Sequence, residues 1–199
     1  MREVFWSARP GPLALAESWA CKRVEIDATN SEAQASLAHS ISFAGRHEDG
    51  LRRALLALDI NPSSSWANYV KGQSLVFSGS PSEAREPLLM ALRLDPHGPI
   101  TVHFMMLLIV SYYFERDYQR AVEAEMRLVS NYPDPPQPYR CLAASLGQLG
   151  RIDEARDALR KAMVSPDAFH GYVSNRPAWY RVEDYEHILD GLRMAGWQG

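Results

Sequence analysis

Gly79-Ser80-Pro81-Ser82-Glu83-Ala84-Arg85-Glu86-Pro87-Leu88-Leu89-Met90-Ala91-Leu92-Arg93-Leu94-Asp95-Pro96 contains, in order, a stop, a start and a second stop. Gly79 ends one helix where left-handed backbone costs least. Ser80, Pro81 and Glu83 then write the start of the next: a capping serine, a proline in the first turn, and a glutamate reaching back to complete the box. Ala84, Leu88 and Ala91 make a small-large-small stripe at helical spacing, which Asp95-Pro96 terminates. Pro87 falls inside that helix, where proline removes a hydrogen bond and crowds the preceding turn, so a kink is expected there.

The same punctuation recurs along the chain. Gly45, Gly79, Arg116 and Gly150 are spaced by 34, 37 and 34 residues, and Pro62, Pro96, Pro133 and Pro166 by 34, 37 and 33. A fixed period in this range marks stacked units that cannot bury their apolar faces alone. In the first unit Leu37, Ala38 and Ile41 precede Gly45, and Gly50, Ala54 and Ala57 come after it. In the second, Gly72 and Leu75 lead to Gly79. The third is degenerate: His97-Gly98-Pro99 lengthens its junction, Arg116, Glu125 and Leu128 break its pattern, and its first helix from Phe104 to Phe114 is apolar nearly all round. Such a helix is expected to be covered on more than one side. The fourth returns to form with Tyr139, Leu142, Ala143, Leu146, Gly150, Ala155, Leu159 and Ala162. Small residues at these points let two helices approach closely.

The ends differ. Residues 13–30 look like a half repeat, a second helix whose partner is missing, with Ala16 and Ala20 on its contact face. Its apolar edge is expected to be covered by Val4-Phe5-Trp6 or by a second copy of the chain. At the other end, a loop through Pro177, Trp179 and Tyr180 leads to a last helix with Tyr185, Ile188, Leu189 and Leu192 on one face. Acids at its start, Arg193 near its end and Gly196 just beyond mark it as a capping helix.

Composition excludes several classes of function. At 46% apolar and 23% charged residues, the 199-residue chain is ordered and has enough apolar surface for a core. A net charge of -3 and the lack of a basic stripe give no reason to expect nucleic acid or an anionic membrane. The longest apolar run, Phe104 to Val110, is far short of about 18–20 spanning residues, and the run at Pro12–Ala16 is too short for a signal-peptide core. A cytoplasmic location is expected. Cys21 and Cys141 lie far apart and read as reduced, buried small hydrophobes. The six histidines show no ligand spacing, so no metal site is expected. No phosphate loop, GxSxG or nucleophile–base pair is present. No cofactor and no catalytic residue are expected.

These residues resemble tetratricopeptide (TPR) repeats over about residues 13–166. The resemblance implies an all-α, right-handed superhelix of helix–turn–helix units with a C-terminal capping helix. It divides a single domain, 1–199, into a half repeat (13–30), four repeats (31–64, 65–101, 102–135 and 136–166) and a capping segment (167–199). A narrower likeness rests on Tyr139-Arg140-Cys141-Leu142-Ala143-Ala144-Ser145-Leu146-Gly147-Gln148-Leu149-Gly150-Arg151, on Arg176-Pro177-Ala178-Trp179-Tyr180, and on Glu183–Arg193. These are similar to the TPR tails of bacterial adenylate cyclase-like signalling proteins. That likeness implies a signalling or regulatory tail and no cyclase activity in this chain. In TPR arrays the first helices line a concave face, which here would present Phe43, Trp66, Tyr69, Phe77, His103, Met106, Tyr113 and Phe114. The expectation is a non-enzymatic scaffold that holds a protein or peptide partner in this groove. The alternative is a self-associating module whose groove is filled by its own C-terminal segment or by a second copy. The basic clamp for chaperone C-termini is not expected, because Ala35 and His39 stand where it would begin.

Overall fold

The structure is a computed structural model that describes residues 10–134 and 136–199, so Val4-Phe5-Trp6 lies outside the described residues. Those residues form eleven α-helices and no strand: α1 (Pro10–Ile26), α2 (Ser31–Phe43), α3 (His47–Ile60), α4 (Ser65–Ser78), α5 (Pro81–Leu94), α6 (Thr101–Phe114), α7 (Tyr118–Asn131), α8 (Pro136–Gln148), α9 (Ile152–Ala162), α10 (Pro166–Ser174) and α11 (Val182–Met194). The fold is all-α and built of helix–turn–helix pairs. None of these helices is long and apolar enough to cross a membrane.

Each hairpin turns on a residue of the first ruler. Gly45, Gly79 and Gly150 have φ of 83°, 96° and 72°, and Arg116 has φ 63°. All four close the same hydrogen-bonded motif. The amide after each donates five residues back, Arg46 to Ile41, Ser80 to Leu75, Asp117 to Tyr112 and Arg151 to Leu146, at 2.9–3.2 Å. These bonds satisfy carbonyls that a helix end would otherwise leave open. Gly196, at φ 102°, ends α11 the same way, with Trp197 N–H donating to Leu192 at 3.0 Å.

The chain divides into two compact units. The first comprises the described residues up to Leu107 together with Pro177–Tyr180. In it α2 packs on α1, α3 and α4, and α4 packs on α3 and α5. Small side chains set the spacing. A Cβ on Gly50 would lie 2.9 Å from the Cβ of Ser42, and one on Gly72 2.6 Å from Leu88 Cγ. Ala35, Ala57 and Ala67 meet where three helices converge. On α1, Ala20 is buried against Leu37 and Ile41, with Cys21 and Val24 beside it, but Ala16 is exposed.

The second unit comprises Leu108–Arg176 and Arg181–Gly199. In it α8 packs on α7, α9 and α11. Helices α8 and α11 cross at two glycines. A Cβ on Gly147 would come within 2.3 Å of the Gly191 carbonyl, and one on Gly191 within 2.7 Å of the Ala144 carbonyl. As expected for an apolar helix, α6 has no exposed residue along its length.

Three local details bear on the sequence reading. Ser80 is an N-cap in position only, since its side chain makes no capping bond. Working caps are Asn30, Ser64 and Asp117, which accept from the amides of Ala33, Ala67 and Arg120. Backbone geometry explains the difference. Asn30 and Ser64 are extended, at ψ 108° and 113°, whereas Ser80 has ψ 55° and a side chain too short to reach. Asp117 has similar backbone, at ψ 63°, but carries one more atom of reach. Secondly, α5 runs unbroken from Pro81 to Leu94, so Pro87 lies inside the helix, where the sequence reading places it. Thirdly, Pro166, read as a stop, also starts α10, a helix the sequence reading did not anticipate.

The left-handed turns make a graded prediction. Gly150→Ala, in open space, should cost about 1–2 kcal/mol from backbone conformation alone. Gly45→Ala should cost more, because its Cβ would also lie 2.8 Å from the Ala178 carbonyl. Arg116→Gly should be neutral or stabilising by up to about 1 kcal/mol, since it relieves strain but adds chain entropy on unfolding. Ser64→Ala should cost about 1 kcal/mol and Ser80→Ala much less. Equilibrium urea denaturation orders all five.

Candidate functional site

One face of unit 1 is lined by rings, and helical spacing puts them there. Trp66, Tyr69, Gln73 and Phe77 recur at three and four residues on α4, and His39 and Phe43 are four apart on α2. The His39 ring lies 4.6 Å from Phe43, 4.7 Å from Trp66 and 6.2 Å from Tyr69. Trp66 stacks on Tyr69 at 5.2 Å, and Tyr69 on Phe104 at 4.9 Å. Enclosure by these rings desolvates the His39 imidazole and pushes it down to about 3, with His103 adding like-charge repulsion. Burial lowers His103 as well. Burial raises the Tyr69 phenol beyond its ordinary range. Gln73 is fully buried in the same stripe, and its amide has no hydrogen-bond partner among the described residues.

Pro177–Tyr180 lies on this face as part of the same unit. Trp179 meets Phe43 edge-on at 4.6 Å, and Tyr180 meets Phe77 edge-on at 5.1 Å. His47 shares a hydrogen bond with the Trp179 backbone and sits 6.1 Å from Phe77. The Ala178 carbonyl faces Gly45 so closely that no side chain fits between them. Trp179 and Tyr180 are 5% and 6% exposed, which makes them core.

The residues expected to line a groove therefore fall in two places. Phe43, Trp66, Tyr69, Phe77, His103 and Met106 belong to unit 1, and Tyr113 and Phe114 to unit 2. Tyr69, Phe77 and Tyr113 are buried; Phe43, Trp66, His103, Met106 and Phe114 are half-buried. Tyr113 packs on His187 at 4.8 Å and donates to its carbonyl at 2.8 Å. Tyr118 bonds the His187 ring at 2.9 Å, and the Arg116 guanidinium approaches the same ring at 3.4 Å. Sequence reasoning passed over His39, His47 and Phe104 as members of the ringed face. Their signal was the four-residue spacing of His39 and Phe43.

Unit 2 also holds a buried carboxylate. Glu125 is 0% exposed; its Oε1 accepts from Ser145 Oγ at 3.2 Å and its Oε2 has no partner. A cavity of about 10 Å³, lined by Ile109, Val110, Tyr113, Glu125, Cys141, Ala144 and Ile188, adjoins it. Desolvation raises the Glu125 carboxyl well above its ordinary range, against the weaker pull of Ser145. The Cys141 thiol is pushed up to about 11 by burial.

Hairpins of about 34 residues, each turning on a left-handed residue and packed through small side chains, define one architecture. The fold is that of TPR proteins. The chain is similar to PilW, a widely conserved type IV pilus biogenesis factor, with a TM-score of 0.70 and 17% identity over 93% of this chain and 82% of that one. It is similar to TTC0263, a thermophilic TPR protein from Thermus thermophilus, with a TM-score of 0.69 and 18% identity over 82% and 90%. YrrB, a TPR protein with an unusual peptide-binding site, matches with a TM-score of 0.59 and 18% identity over 95% and 97%. No family model matches the chain, and no curated protein matches it in sequence.

The buried groups of this TPR fold give opposite pH dependences. His39, His47 and His103 are depressed, so their contribution is present above about pH 6.5 and is lost as pH falls below it. Glu125 is raised, so its contribution is present below about pH 4.3 and is lost as pH rises toward its folded value. Glu125→Gln should therefore raise the unfolding midpoint at pH 8 and change it little at pH 4. Equal shifts at both pH values would show that the Glu125 carboxyl titrates in the fold as it does in the unfolded chain.

Proposed function

We propose that this chain is a non-enzymatic interaction scaffold that holds a short peptide segment on the ringed face of α2 and α4. One observation carries the reading: a peptide-like stretch, Pro177–Tyr180, already lies on that face through ring contacts and a backbone hydrogen bond. Rigid aromatic rings bury large areas at small entropic cost, which suits them to be anchors. The likeness to YrrB, itself described as having a peptide-binding site, is consistent with this use of the fold. The resemblance of residues 139–151 and 176–193 to adenylate cyclase-like tails supports a regulatory role in a bacterial signalling protein, in the cytoplasm.

The second reading, a self-filled module, is favoured by the burial of Trp179 and Tyr180. The two readings separate on Trp66, which is half-buried and stacked on Tyr69. A peptide array probed with the purified chain should yield binders, and Trp66→Ala should weaken them about thirtyfold, the effect of a 2 kcal/mol hot spot, with helical content intact. If no peptide binds, or if Trp66→Ala leaves affinity unchanged, the ringed face is core and the scaffold reading fails there.

A further inference from the structure

Pro177–Tyr180 is a short occupant of a surface made elsewhere in the chain. The residues on either side, through Arg176 and from Arg181, belong to the second unit, whereas these four belong to the first. Arg181, the N-cap residue of α11, forks onto Asp184 at 2.7 and 3.0 Å, so the chain beyond the segment is fixed within its own unit. The contacts that hold the segment include two ring contacts, one backbone bond and one close carbonyl. No charged side chain of the segment takes part, because it has none.

We infer that Pro177–Tyr180, a tight turn closed by the Tyr180 amide donating to the Pro177 carbonyl at 3.1 Å, is an intramolecular ligand of the ringed face, and that the partner which displaces it is a peptide that folds the same turn and carries two adjacent aromatic side chains. This rests on the scaffold reading above and names its ligand and its regulation. The two rings of the segment fill separate positions, one against Phe43 and one against Phe77. The residue before them must lie close against Gly45, where a Cβ would come within 2.8 Å of the Ala178 carbonyl. A competitor therefore needs an aromatic pair in the same tight turn, with the backbone carbonyl before the pair against Gly45. The tethered segment competes at high effective concentration, so a free peptide sees a face that is open only part of the time.

The probe is a synthetic peptide of residues 174–183 of this chain, with a scrambled peptide as control, titrated calorimetrically into the full chain. Trp179→Ala/Tyr180→Ala should bind it at least tenfold more tightly than the unsubstituted protein. Gly45→Ala added to that variant should reduce binding again. If the folded double variant binds no more tightly than the unsubstituted protein, the intramolecular ligand is disproved, while array peptides that still bind would leave the scaffold reading standing. Should the double variant fail to fold, the unsubstituted protein labelled with 5-fluorotryptophan decides. The Trp179 fluorine resonance, assigned with Trp179→Phe, should move toward its solvent-exposed position as unlabelled peptide is added. A resonance unmoved at millimolar peptide overturns the inference.

Discussion

Every hairpin of this chain depends on one residue held in the left-handed region, and the rest of the architecture is a consequence of that constraint. A helix that must reverse within about three residues cannot continue its own hydrogen bonds, so its last carbonyls are met by amides from beyond the turn. The four turn residues do this with the same bond five residues back. Because each reversal is the same, the second helix always returns along the first, and only small side chains can stand between them. Gly50 against Ser42 and Gly72 against Leu88 are the result. Arg116 shows that the constraint belongs to the turn and not to glycine. Among the described residues it alone is a non-glycine in this conformation, and its guanidinium is used nearby, against Tyr118 and His187.

This is why the fold was legible before any coordinates. Turn glycines, helix-stopping prolines and small-residue stripes are local signals whose physics acts within a few residues. Arg116 stood on the ruler and could be read as a degenerate turn, which it is. The details that escaped depend on backbone angle or on distant neighbours. Ser80 has the composition of a cap but not the ψ of one, and no pattern in the sequence distinguishes it from Ser64. Helix α10 was hidden because Pro166 both ends one helix region and begins another, and proline suits either role.

The candidate site was legible only in part, for a physical reason. Spacing says which residues of a helix share a face, so Trp66, Tyr69 and Phe77 could be grouped on α4, and Phe43 placed on α2. Whether that face meets solvent depends on which residues arrive from the far end of the chain. Trp179 and Tyr180 reach Phe43 and Phe77 across more than a hundred residues of sequence. Tyr113 and Phe114 share the same first-helix pattern but belong to the second unit, where His187 meets the Tyr113 ring. Periodicity carries no information about such long-range partners.

Desolvation links the ringed face to the stability of the whole. A surface of this kind left bare would expose contiguous apolar area, which soluble proteins rarely do beyond a few hundred Å². Covering it with the chain's own aromatic pair removes that exposure, and burial on the same face forces His39, His47 and His103 toward the neutral state, the Trp179 backbone hydrogen bond pulling His47 the other way. Protonating His39 would place charge among rings, and a charged His103 nearby would repel it further. Glu125 in the other unit has the opposite sign, a carboxyl driven toward its neutral form by the same loss of water. Neutrality in both places is imposed by packing rather than by pairing, so the chain's response to pH reports how tightly each core excludes solvent.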